Sequence, residues 1–205
     1  MQAATAGKRA AALDLPTDKA ARIVEAMRAS VAEHGISGST FDRVAREAGV
    51  SRGLLHYHFG TKERLLVEVV RREADLRGRS LDEAVAAAAG ADELIDGLVR
   101  NLEEVLGAGR SEIVTFHELL TLGQRNSEIA TELAQLARGM RTRLAAALRA
   151  RADTGAFSLR SDPEHVAALL LALADGVATR RLAEPGFDLR PLIELAIAAA
   201  RTQLV

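Results

Sequence analysis

The stretch Ser39 to Leu66, STFDRVAREAGVSRGLLHYHFGTKERLL, constrains the fold more than any other part of this 205-residue chain. Phe41, Val44, Ala45 and Ala48 stand at i, i+3, i+4 and i+7, a single helical face. Ser39 is placed as the N-cap of that helix, with Asp42 three residues on as its capping partner. Gly49 ends the helix, because glycine takes the left-handed conformation that a sharp reversal needs. Val50 turns into the core and Ser51 caps a second, short helix from Arg52 to His58. Leu55 packs back on Val44, which leaves Arg52, Gly53, Leu54, His56 and Tyr57 outside. Two short helices closed across a tight turn in this way form a helix-turn-helix.

The run from Gly49 to Leu65, GVSRGLLHYHFGTKERL, resembles the signature of TetR-type repressors, in which a G-V-S-x-G-x-L-Y-x-[YH]-F-x-x-K-E-x-L pattern spans recognition helix and linker. His56 stands where that pattern has tyrosine. The resemblance covers about 25 to 30 residues near the N-terminus and implies an all-α chain of about nine helices. A three-helix DNA-binding head then comprises residues 1–60, and a linker helix with an effector-binding and dimerisation body comprises 61–205.

Chemistry sorts the head residues. An arginine can bridge guanine O6 and N7, which makes Arg52 the first choice for base readout, while Gly53 lets the helix approach closely. His56 suits a base or a phosphate; Tyr57 and His58 match family positions that meet or support the backbone. Thr40 and Lys62, at helix N-terminal turns, are placed on phosphates. Ser51 and Leu54 complete the set, and Arg43 and Arg46 either add to it or are plain solvated charges.

Composition agrees with a helical chain. Alanine, leucine and arginine dominate, tryptophan is absent and only 4 prolines occur. The absence of cysteine excludes disulfides, thiolate metal sites and a cysteine nucleophile. The N-terminus lacks the apolar core of a signal peptide, and the longest apolar run, Val166 to Ala174, is too short to cross a bilayer, so a cytoplasmic location is expected. Net charge is −1, yet residues 1–79 hold 14 Lys+Arg against 10 Asp+Glu and the remainder 13 against 18. A basic head on an acidic body is the asymmetry that a nucleic-acid-binding end produces.

Along the chain, residues 1–15 read as a disordered arm or a basic one reaching the minor groove. A first helix runs from Thr17, its cap, to His34, with Ala20, Ile23, Met27 and Val31 as its buried stripe and Gly35 as its end. Thr61 caps the linker helix, expected to reach about Arg79; the segment Leu81 to Ala91 can extend it or break it. Further helices are expected at about Asp92 to Leu106, Ser111 to Leu122, with Ile113, Phe116, His117 and Leu120 on one face, and Asn126 to Arg151. Gly107-Ala108-Gly109 is an interhelical turn, without the lysine or strand of a phosphate loop. Asp162 and Pro163 open a helix to about Leu182, and a last helix runs from about Asp188 to Leu204.

Both closing helices are apolar nearly all round, so each needs two partners. A four-helix contact between two copies supplies the second, with Leu169, Leu173, Val177, Leu192, Ile193, Ala196 and Ala200 as its residues. The family resemblance implies a small-molecule effector inside the body. Phe116, His117, Leu120, Leu136, Met140 and Asp175 are candidates for its pocket, His117 and Asp175 being polar groups expected to point inward. No cofactor, metal or membrane contact is expected. The HELLT run at His117 begins like a zinc-protease motif, but Thr121 replaces the second histidine, and no nucleophile elbow or dinucleotide fingerprint exists. An enzyme is therefore not expected; an architectural or adaptor protein without a pocket is the remaining alternative.

Overall fold

A computed structural model describes residues 17–86, 88–107 and 110–204. The expected N-terminal arm and the Ala108-Gly109 part of the interhelical turn lie outside them, as does the capping side chain of Thr17. Nine helices and no strand occur among the described residues: α1 (Thr17–Gly38), α2 (Phe41–Ala48), α3 (Arg52–His58), α4 (Lys62–Ala86), α5 (Ala91–Gly107), α6 (Arg110–Gly123), α7 (Ser127–Asp153), α8 (Pro163–Ala183) and α9 (Arg190–Arg201). No described helix is long and apolar enough to cross a membrane.

The chain packs into two compact units. The first holds the residues up to Glu73 together with Thr115–Leu133, and the second holds Ala74–Val114 and Ala134 onward. Helices α4, α6 and α7 each contribute to both.

In the first unit α1 packs on α2 and α2 on α3. Ile23, Met27 and Val31 of α1 are buried, as are Phe41, Val44, Ala45 and Ala48 of α2, while Ala20, expected in the first stripe, is half-buried; the rest of the 3.6-residue stripes read from the sequence are those the fold buries. Leu55 of α3 is fully buried, which stabilises the pair by roughly 2 kcal/mol of transferred apolar surface. The helical path of α1 is interrupted at Gly35 (φ 71°, ψ 169°) and one more turn follows to Gly38. The amide of Ile36 in that turn donates to the Glu118 carboxylate of α6 at 2.5 Å, and Lys62 Nζ donates to the Ile36 carbonyl at 2.7 Å. Arg71 of α4 donates to Glu132 of α7 and to Glu68, both at 2.6 Å. The Glu132 hydrogen bond is the main reason its pKa is raised, against the opposing effect of burial.

The second unit is organised around Leu81, Leu94, Ile95, Leu144, Leu148, Val166 and Leu170, with Phe157 and Leu204 closing the cluster. Helix α5 packs on α8 and α9, and α8 on α9. Local signals set the starts: Asn126 Oδ1 accepts from Glu128 and Ile129 at 3.1 and 3.0 Å to open α7, and Asp162 accepts from Glu164 at 2.8 Å ahead of Pro163.

Several boundaries differ from expectation. Helix α4 continues to Ala86, where Arg151 of α7 donates to the carbonyls of Val85, Ala86 and Ala88 and so satisfies acceptors that a helix end leaves open. At Gly97 of α5 an added Cβ would stand 2.1 Å from the Ala84 carbonyl oxygen, so only glycine permits this approach of α5 to α4. Among the described side chains of α6 the buried ones are Ile113, Thr115 and Leu119, whereas Leu120 is exposed, a change of face from the one expected. Helix α9 stops at Arg201, and the following residues turn so that Leu204 pairs with Leu159 in an isolated antiparallel bridge.

Candidate nucleic-acid interface

The turn between α2 and α3 positions the site. Gly49 takes φ 67°, ψ 38°, and its N–H reaches the carbonyls of Ala45 and Arg46, while Val50 N donates to Ala45 at 2.9 Å. A Cβ at Gly49 would meet nothing within 4 Å, so glycine is required there for its left-handed backbone and not for space. Ser51 Oγ accepts from Leu54 N at 3.3 Å and starts α3. The N-cap of α2 is Thr40, whose Oγ1 accepts from Arg43 N at 3.3 Å. Ser39, expected in that role, is instead fully buried and donates to the Gly35 carbonyl at 2.8 Å, because the extra turn after Gly35 draws it inward.

This local geometry gives α3 two sides. Leu55 faces the core, Leu54 and His58 are half-buried, and Arg52, Gly53, His56 and Tyr57 face solvent, Tyr57 at 77% exposure. The rings of Tyr57 and His58 pack edge-on with centroids 4.8 Å apart, and His56 packs edge-on to Phe41 at the same distance. Around this helix stand Thr40, Ser51 and Arg46, all exposed. Arg43 is half-buried with Nη1 2.6 Å from His34 Nε2, and Lys62, expected on a phosphate, is half-buried and engaged with the Ile36 carbonyl. Arg52 Nη1 lies 3.1 Å from Asp42 Oδ2, an ion pair that sequence reading missed, having given Asp42 the role of capping partner to Ser39. The two residues are ten apart and meet only because the turn folds α3 against the start of α2.

The residues placed in an effector pocket are shared between the two units. Phe116, His117 and Leu120 belong to the first unit, with Leu120 exposed and His117 half-buried; Leu136 and Met140 pack in the second. Asp175, expected to point inward, is exposed; the buried face of α8 is made by Val166, Ala167, Leu170 and Val177. An apolar cleft in the second unit lies between α5, α8 and α9, lined by Leu98, Val99, Leu102, Leu173, Ala174, Ile193 and Ile197 among other aliphatic residues. Of the residues assigned to a contact between copies, Val177 and Ala200 are instead buried within the subunit, at 2% and 5% exposure, because α8 and α9 close on each other and on α5 at these positions. Leu169 is exposed, and Leu173, Leu192, Ile193 and Ala196 are half-buried. Leu195, which was not among them, is 69% exposed. No cluster of three or more His, Cys, Asp or Glu side chains able to hold a metal occurs among the described residues.

Comparison with known proteins matches two stretches of the chain. Residues 23–69 match the family described as bacterial regulatory proteins, tetR family, and residues 102–205 match the BetI-type transcriptional repressor C-terminal family. The HTH-type transcriptional regulator BetI of Rhizobium meliloti is 30% identical over 162 residues, which span 78% of this chain and 75% of that one. A TetR transcription regulator from Haloarcula marismortui superposes with a TM-score of 0.77 at 23% identity, covering 93% of this chain and 100% of its own. A regulator from Saccharomonospora viridis, solved in complex with choline, gives the same TM-score and identity over 93% of this chain and 99% of its own. These two structures share the fold. With the helix-turn-helix and its exposed α3 in place, the matches to both parts of the chain settle its class: it belongs to the TetR family of bacterial transcriptional regulators, DNA-binding proteins and not enzymes.

Proposed function

We propose that this regulator is a homodimeric repressor that binds a pseudo-palindromic operator through α3 and is released by a small-molecule effector. Residues 1–60 act as the DNA-binding part and 61–205 as linker, effector-binding and dimerisation body, in the cytoplasm. The observation that carries the reading is α3 itself: buried Leu55 anchors it while Arg52, Gly53, His56 and Tyr57 face outward. A residue set of this kind enters a major groove, with arginine reading a base and its neighbours meeting phosphates.

The dimer is built on α8 and α9, which leave the apolar side chains of Leu169 and Leu195 exposed in the single subunit. A two-fold axis through such a contact would set two copies of α3 about 34 to 36 Å apart, one turn of DNA. Within the first unit, Glu118 of α6 accepts from Ile36 N and so ties that helix to the end of α1.

The effector class follows from the lining of the cleft between α5, α8 and α9, which is aliphatic throughout. The second unit contains only Phe157 and Phe187 as aromatic residues, and Phe157 is buried in its core. A quaternary ammonium ion bound through an aromatic cage needs several ring faces. An aliphatic or acyl compound is thus favoured here over choline, the ligand in the Saccharomonospora viridis structure.

The test is selection of operator sequences from a random DNA pool, followed by binding titrations across salt and by mass determination. Expected are a two-fold symmetric site, binding that weakens steeply as salt rises, and a dimer mass. Selection of no sequence, or a monomer that binds half-sites alone, overturns the reading.

A further inference from the structure

Arg52 is held on two sides before any DNA is present. Its Nη1 donates to both carboxylate oxygens of Asp42, at 3.3 and 3.1 Å, and its Nε donates to His56 Nε2 at 3.3 Å, one helical turn along α3. In this contact Arg52 Nε–H is the donor and His56 Nε2 the acceptor. The His56 ring is itself fixed by an edge-on contact with the buried Phe41, centroids 4.8 Å apart. Nη2 has no hydrogen-bond partner among the described residues, so the guanidinium keeps donors open while two of its nitrogens are engaged.

The ordinary roles of an acid at Asp42 do not account for this. Thr40 already caps α2. The ion pair is exposed, 59% at Arg52 and 61% at Asp42, so water screens it and its contribution to stability is small. On a face that meets phosphates, a carboxylate lowers affinity. What remains is geometry: a long, flexible side chain is fixed in one orientation, so that its ordering cost is met before binding.

We propose that Asp42 is a positioning residue for Arg52, and that with His56 it presents the guanidinium edge to a guanine, setting base preference at one position of each half-site. The inference rests on the DNA-binding reading above. Its test is operator selection with the full-length wild type and the variants Asp42→Ala, Asp42→Glu, Arg52→Ala and the Asp42→Ala/Arg52→Ala pair. Circular dichroism and thermal melting verify that each is folded. Asp42→Ala is expected to lower the preference for guanine at one position by about three- to tenfold, the scale of one unfixed side chain, while binding to unrelated DNA holds or rises. Asp42→Glu restores part of the preference, and in the Arg52→Ala background the loss of Asp42 changes base preference no further. Unchanged preference in Asp42→Ala, or an equal effect of that change with and without Arg52, overturns the proposal. A wild-type protein that selects no site overturns the DNA reading itself, and the two failures are told apart by the wild-type arm.

Discussion

The two ends of the chain solve the exposure problem in opposite ways. In the head, an eight-residue helix and a seven-residue helix bury one narrow stripe each and leave the rest polar, so that Arg52, His56 and Tyr57 stand in water at little cost. In α8 and α9 apolar residues continue around the helix, and Leu169 and Leu195 remain outside although Val166, Leu170 and Val177 already fill the subunit's core. A polar exposed face can wait for a transient, charged partner such as DNA. An apolar one asks for a lasting contact, since about 25 cal/mol is gained for each Å² it removes from water.

That contrast predicts a largest effect on assembly. Leu195→Glu, which sets a charge in the proposed contact between copies, should shift sedimentation from dimer to monomer at micromolar concentration while helical content stays the same; an unchanged dimer mass would move the contact elsewhere. Next come the two cores. Leu55→Ala in the head and Leu148→Ala in the body should each cost about 3 kcal/mol in urea unfolding, both side chains being fully buried. Amide exchange should then show the first variant exposing α1 to α3 and the second exposing the helices of the other unit; identical exchange maps would mean that the units do not unfold separately.

Gly97→Ala should cost about 1 to 3 kcal/mol, because its methyl would enter the Ala84 carbonyl and force α5 away from α4. A melting temperature equal to that of the wild type would refute the close approach. The smallest effect belongs to Gly49→Ala, about 1 kcal/mol, since the space is open and only the left-handed backbone resists. If it equals or exceeds the Gly97 effect in the same denaturation series, the distinction between space and conformation is wrong.

Sequence reading did well where the cause lies within a few residues. Ser51, Thr61, Asn126 and Asp162 each begin a helix because a side-chain oxygen reaches an N–H two or three residues on, and Gly49 ends one through its own backbone. The same local reading misplaced the cap of α2, since nothing near Ser39 announces that a further turn after Gly35 will bury it. Helical face was a weaker guide to which side chains turn inward: His117 is half-buried and Asp175 exposed, and on α6 it is Leu119, not Leu120, that is buried, because a face is inner or outer only relative to its neighbours.

By itself, then, the sequence determined the all-α class, the helix-turn-helix and its outward residues, and the apolar excess of the last two helices, because propensity, capping and periodicity act over single turns. Only the tertiary structure decided how far α4 runs, for its end is capped by Arg151 from 65 residues away. It alone decided that Gly97 must be glycine, which α8 residues stay outside, and that Asp42 meets Arg52. Each of these depends on which elements become neighbours, a property of packing between distant segments that no short window of sequence contains.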